Sequence, residues 1–305
     1  MQRSSRAQRV GRSTERQGKP CGMGPLRARR DAAMPALPTR PGKPRRRGIT
    51  SLIDRGPDLG GWLGLRGTRD FLEVAAPYVD YAKIYAVQSL MLPAAWIARK
   101  IRLYRRYRVE PYAGGVLMEL AWQQRRMTGY FRLVKKLGFQ TIEVSENFVK
   151  LSPKERRATI REAVEEHDLS VVWEYGSKEP WAPLLVDDFV AAAHEALESG
   201  ATHVVLEQSE VEGLRESNPD ALAALGSKIG AEYLVFEADP LQFPRPHVWL
   251  LQTFGPEVSL GNVHPDQVIR VEEMRRGIGR PVGFSLLSGQ AVRDQSPPGE
   301  GSRDE

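Results

Sequence analysis

The sequence predicts an α/β fold, a closed barrel of eight parallel strands with a helix after each. Three observations carry that reading. Between residues 48 and 289, short apolar β-prone runs alternate with longer segments of helical period, the pattern of parallel strands joined by crossover helices. The alternation repeats eight times in about 240 residues, the size and count of a (β/α)8 or TIM barrel. No glycine-rich dinucleotide turn follows the first run, as an open nucleotide-binding sheet would require.

The strands are expected at Ile49 to Ile53, Tyr81 to Ile84, Val109 to Tyr112, Thr141 to Val144, Leu169 to Trp173, His203 to Leu206, Tyr233 to Phe236 and Val258 to Leu260. Each is bounded by turn-forming residues and is too short for a helix. The helices that follow are expected at Thr68 to Ala76, Pro93 to Tyr107, Glu119 to Leu137, Pro153 to His167, Val186 to Ser199, Pro219 to Ile229, Gln242 to Phe254 and Pro265 to Gly277. Pro93, Pro153, Pro219 and Pro265 stand where a helix's first N–H has no partner to lose. Gly138 and Gly200 stand where a helix ends in a left-handed turn.

The two ends read differently. Residues 1–47 carry 14 Lys or Arg against two acids, Glu15 and Asp31, and are rich in Gly, Pro and Ser with no apolar period. Such a segment is expected to be a disordered basic tail taking no part in the fold. Residues 290–305 read as a second disordered tail, leaving 48–289 as the barrel. The whole chain is +6 and the tail +12, so the remainder is −6. The basic balance therefore belongs to the tail, and nucleic acid is not an expected partner of the folded part. Nothing approaches the roughly 20 apolar residues of a membrane span, and no secretory signal opens the chain, so a cytoplasmic protein without a membrane partner is expected. The lone cysteine, Cys21, excludes an internal disulfide and a Cys-based zinc site.

Function is read from what ends the strands. Asp54 follows the first, Glu143 closes the fourth, and Glu174, Glu207 and Glu237 follow the fifth, sixth and seventh. In this fold the C-terminal rim of the barrel is the active site. Acids crowded there raise one another's pKa unless a cation joins them. Oxygen ligands without Cys or paired His favour Mg2+ or Mn2+. The five histidines show no ligand spacing, and only His264 lies near the rim. Lys83 at the end of the second strand and Lys178 after the fifth could meet a substrate anion. Gly114-Gly115 and Gly261-Asn262 offer backbone donors, the latter in the eighth loop, where phosphate often binds in this fold. Small anionic substrates are the expected partners. A homo-oligomer is left open.

These segments, in this order, resemble the phosphosulfolactate synthase family. The carriers are Gly-Ile-Thr-Ser-Leu-Ile-Asp-Arg-Gly (48–56), Tyr-Ala-Gly-Gly-Val-Leu-Met-Glu (112–119), Lys-Leu-Gly-Phe-Gln-Thr-Ile-Glu-Val-Ser (136–145), Val-Phe-Glu-Ala (235–238), Ser-Leu-Gly-Asn-Val (259–263) and Glu-Met-Arg-Arg-Gly (273–277). The resemblance implies Mg-dependent addition of sulfite to phosphoenolpyruvate. It implies a metal held by Glu143, Glu174 and Glu207, Lys178 as proton donor and Lys83 as a second catalytic cation. Asp54, Arg55, Ser89, Glu237, Gly261 and Asn262 would then face substrate. The chain also departs from the family's archaeal pattern: glycines after Lys83 are replaced, one of two paired lysines is Ser177, and an arginine after the sixth strand is absent. Those losses keep a different anionic substrate, or a non-catalytic binding barrel, as alternatives. Glu143 and Glu237 also match the strand positions of a barrel glycosidase pair, although the loops are short for such a cleft.

Overall fold

The computed structural model describes residues 35–56, 64–177 and 184–289. Its eight strands form a closed barrel in sequence order: β1 (Thr50–Asp54), β2 (Tyr81–Ile84), β3 (Glu110–Ala113), β4 (Thr141–Ser145), β5 (Ser170–Tyr175), β6 (Ala201–Leu206), β7 (Leu234–Glu237) and β8 (Leu260–Val263). Every pairing is parallel, and β8 closes on β1. The barrel expected from the alternation is therefore the fold, and most strands shift by only one or two residues from their expected bounds.

Around it run α1 (Leu65–Ala75), α2 (Gln88–Met91), α3 (Ala94–Arg106), α4 (Val116–Gln123), α5 (Met127–Leu137), α6 (Pro153–Arg161), α7 (Val186–Glu198), α8 (Gln208–Ser217), α9 (Pro219–Leu225), α10 (Arg245–Phe254), α11 (Val268–Arg275) and α12 (Ser285–Ser288). α6 begins as the sequence predicts. Pro153 takes its first position, and Ser152 and Glu155 cap it reciprocally, which satisfies two N–H groups that a helix start leaves without partners. Gly138 ends α5 with φ 95°, a conformation that a Cβ disfavours.

The strands alternate two environments. In β5, Val171 and Trp173 join the large apolar core between barrel and helices, whereas Val172 points inward and packs with Val205 and Val235 in a small cluster of its own. Period 2 then places Glu174 and Glu237 on the inner side, one step nearer the C-terminal rim. Below them Tyr81 lies edge-on to Tyr112 and His203.

One expectation is overturned at the opposite end of the barrel. The basic segment was expected to stand apart through residue 47, yet residues 39–47 are bound to the fold. Arg40 pairs with Glu272, and Arg45 makes two 3.0 Å bonds to Asp80, with side chains only 5–6% exposed in both pairs. Lys43 donates to the carbonyls of Ala76 and Val79. Composition suggested disorder because it counts only apolar groups; here buried acids at strand and helix ends supply the partners. The tails at 1–34 and 290–305 lie outside the described residues.

Candidate active site

Four side chains meet at the inner C-terminal rim. Lys83 of β2 places its Nζ 2.9 Å from Glu143 Oε1, 2.7 Å from Glu237 Oε1 and 3.4 Å from Glu174 Oε1. All four residues are buried, the glutamates to 1% exposure. Carboxylate oxygens of Glu143, Glu174 and Glu237 lie within 4.8 Å of one another. Burial alone would strip the proton from Lys83, but the three carboxylates outweigh it and hold the ammonium charged well above its ordinary range. Glu143 is pushed up to about 8, first by burial and then by Glu174 beside it, with Lys83 acting the other way. Its second oxygen accepts the N–H of Gly115 at 2.8 Å. Three carboxylates against one ammonium leave the cluster negative even when Glu143 keeps its proton.

The expected ring is thus formed, with one exchange of members. Glu237 belongs to it and Glu207 does not. The cause is register: β6 slips by one residue against β5 near Val171 and Val172, so Val205 stands opposite Glu174. Glu207 comes one layer higher, beside Gly176, where an added Cβ would lie 2.6 Å from the Glu207 Cβ. There Glu207 precedes α8, and its N–H donates to the Tyr175 carbonyl.

Asp54 faces the other way. Its carboxylate accepts from Lys100 Nζ at 2.6–2.7 Å, Tyr104 OH at 2.6 Å and the Gly56 N–H at 2.8 Å. Lys100 and Tyr104 belong to α3, so Asp54 stands fully buried in the layer between barrel and helices. It shares that side with Leu52, two residues before it. Gly261, expected to lend its N–H to phosphate, stands opposite Glu237 in β8. A Cβ there would come within 3.1 Å of Glu237 Cγ, so its smallness makes room for the ring.

Arg55 directly follows β1 at the rim, and Ser89 lies in α2, the short helix after β2. Arg55 stacks its guanidinium 4.6 Å over the Tyr85 ring, and its buried Nε has no hydrogen-bond partner among the described residues. The Ser89 hydroxyl is likewise buried without a partner, as is the Oδ1 of Asn262, held at φ 53° beyond Gly261. Lys178 lies outside the described residues. Two residues the sequence analysis passed over join the site. Asn147 donates its side-chain amide to Glu174 Oε2 at 2.9 Å, and Glu119, 1% exposed, binds the loop carrying Asn147. The available signal was a lone carboxylate inside the apolar run from Val116 to Trp122.

The donor set suits a hard divalent cation, since every candidate ligand atom is a carboxylate oxygen and the cluster keeps a negative charge. Anionic substrates entering here would be repelled unless cations lined their path.

Residues 38–280 match the family described as (2R)-phospho-3-sulfolactate synthase (ComA). A phosphosulfolactate synthase from Methanothermobacter thermautotrophicus is 31% identical over 250 residues, covering 79% of this chain and 93% of that protein. One from Bacillus subtilis is 28% identical, covering 79% and 94%. Among solved structures, a dihydrodipicolinate synthase from Bacillus anthracis superposes with a TM-score of 0.50 at 11% identity, covering 80% of this chain and 77% of its own, a likeness of fold alone.

Proposed function

The chain belongs to the phosphosulfolactate synthase family and is an enzyme of the carbon–sulfur lyase type, and from that premise we propose that it adds sulfite to phosphoenolpyruvate at the C-terminal rim of the barrel, with Mg2+. The observation that carries the reading is the buried cluster of Glu143, Glu174 and Glu237 around Lys83. In the reaction, sulfite sulfur forms a bond to the methylene carbon of phosphoenolpyruvate. The electron pair of the double bond moves to the neighbouring carbon and the attached carboxylate, and that carbon then takes a proton to give 2-phospho-3-sulfolactate.

Glu143, Glu174 and Glu237 would hold the metal, which supplies positive charge to the developing enolate. Lys83 keeps its ammonium charged and so serves as a fixed cation, steadying the ring and any oxyanion beside it; an ammonium held this firmly is a poor proton donor near neutrality. Arg55, whose buried Nε has no hydrogen-bond partner among the described residues, and the Ser89 hydroxyl supply donors for a phosphate or sulfonate. Lys178, expected as the acid that protonates the carbanion, lies outside the described residues.

Incubating the purified protein with sulfite, phosphoenolpyruvate and Mg2+ should yield phosphosulfolactate detectable by mass spectrometry. Absence of product, with the folded protein intact, refutes the reading. One observation favours a second anion in place of sulfite or phosphoenolpyruvate. Where the family's archaeal pattern has cations, the Ser209 hydroxyl donates to the Ser177 carbonyl and Glu210 accepts from the Ser177 N–H. The same assay with other small nucleophilic anions separates the two.

A further inference from the structure

Glu119 is a buried carboxylate with no cation against it among the described residues. It lies on α4, just after β3, and its oxygens instead accept four donors from the end of β4 and the loop beyond: the Ser145 hydroxyl and the N–H groups of Asn147 at 3.3 Å, Phe148 at 2.6 Å and Val149 at 2.9 Å. Burying an ionised carboxylate is costly, and only hydrogen bonds of this number offset it. Gly115 lets the two segments meet, since a Cβ there would collide with the Ser145 side chain. What the anchored loop presents is Asn147. Its Nδ2 donates to Glu174 Oε2 at 2.9 Å, and its carbonyl accepts the Ser177 hydroxyl at 3.3 Å. Lys83 reaches only the other oxygen of Glu174. The two contacts together engage both oxygens of the Glu174 carboxylate.

We propose that Asn147 is a positioning residue for Glu174 and that Glu119 acts through it, by holding the loop after β4 so that the Asn147 amide meets the carboxylate. The inference rests on the reading of this rim as the reaction site. It explains why the motif at 112–119 ends in a glutamate that touches no other member of the charged ring.

The test uses Asn147→Leu, which keeps the branched outline of the side chain and the backbone contacts but removes the donor. In the sulfite and phosphoenolpyruvate assay with Mg2+, kcat should fall roughly 10- to 100-fold, the scale for a lost partner behind a functional ligand, with KM within about threefold and the melting temperature nearly unchanged. Asn147→Ser, too short to reach Glu174, should lose a similar factor and serves if the leucine variant fails to fold. Glu119→Gln should lower kcat less, and combined with Asn147→Leu it should add no further loss, because both act on one contact. Additive losses, or an unchanged kcat in Asn147→Leu, would overturn the proposal. If the wild-type protein makes no product, the functional reading fails on its own, and the crystal structure of Asn147→Leu decides the positioning role. A Glu174 carboxylate displaced by more than about 0.5 Å supports it, and one that keeps its place overturns it.

Discussion

Removing the carboxylate of Asp54 would take a charged partner at 2.6 Å from Lys100, which is buried at 1% exposure. Breaking a buried pair from one side costs about 3–5 kcal/mol, so Asp54→Ala should lower stability on that scale in urea titrations. Replacing Asp54 and Lys100 together by Leu and Met should recover only part of it, because the Tyr104 hydroxyl and the Gly56 N–H lose their acceptor. A loss of activity at unchanged stability would instead return Asp54 to the substrate. Glu143 gives a second expectation. A free glutamate titrates near 4.5, and the folded protein holds this one to about 8. Between those values the native state keeps a proton that the unfolded chain has released. Stability should therefore be full below about pH 4.5, decline by at most about 1.4 kcal/mol per unit towards pH 8, and level off above. Glu143→Gln, which cannot ionise, should flatten that decline; parallel curves for the two proteins would show that Glu143 does not carry it. Residue positions of this kind were partly legible. Strand-end placement found Lys83, Glu143, Glu174 and Glu237. It mistook Asp54 and Glu207, because side-chain direction depends on parity along the strand and on a register slip that only the closed sheet reveals.

Helices were legible where their ends carry chemistry. Pro153 marked the start of α6, and the capping pair around it accounts for the stop of the preceding loop; Ser152→Ala should cost about 1 kcal/mol by thermal or urea unfolding, and no change would mean that packing alone fixes that end. One predicted helix, Glu119 to Leu137, is two, α4 and α5. The break comes at Gln124–Arg126, where Arg125 adopts φ 55° with no glycine to announce it. α8 was missed altogether. Its buried face is Glu210, Val211 and Leu214, too few apolar residues to stand out from a polar loop, and it forms because the C-terminal rim and α9 flank it. The same limit hid Lys100. It shares the inner face of α3 with Ile97, Ile101 and Tyr104, a placement that a helical wheel shows but that the basic stretch from Arg99 to Arg106 disguises as solvent-facing.

At the scale of the whole molecule, the barrel is closed below by a segment whose composition argued against order. Arg40, Lys43 and Arg45 reach the N-terminal ends of the strands, where Asp80 also accepts the Thr50 N–H at 3.0 Å. The family match begins at residue 38, so the strap belongs to the shared fold. A chain beginning at Gly48 would leave Glu272 without Arg40 and Asp80 without Arg45. Arg276, which pairs with Glu272, softens the first loss, whereas among the described residues Asp80 would keep only the Thr50 N–H as a hydrogen-bond donor. Arg45→Ala should therefore cost about 3 kcal/mol, which for a barrel of this size is roughly 6–12 °C in melting temperature. Removing residues 1–47 should cost more than that single substitution, because the Lys43 contacts and the Arg40 pair go with it. The active rim lies at the other end of the strands, so turnover measured well below the lowered melting temperature should stay near that of the full chain. Calorimetry on the two variants checks the first part and the product assay the second. An unchanged melting temperature in both would restore residues 39–47 to the tail, and a lost turnover in still-folded protein would mean that the two ends of the barrel are coupled.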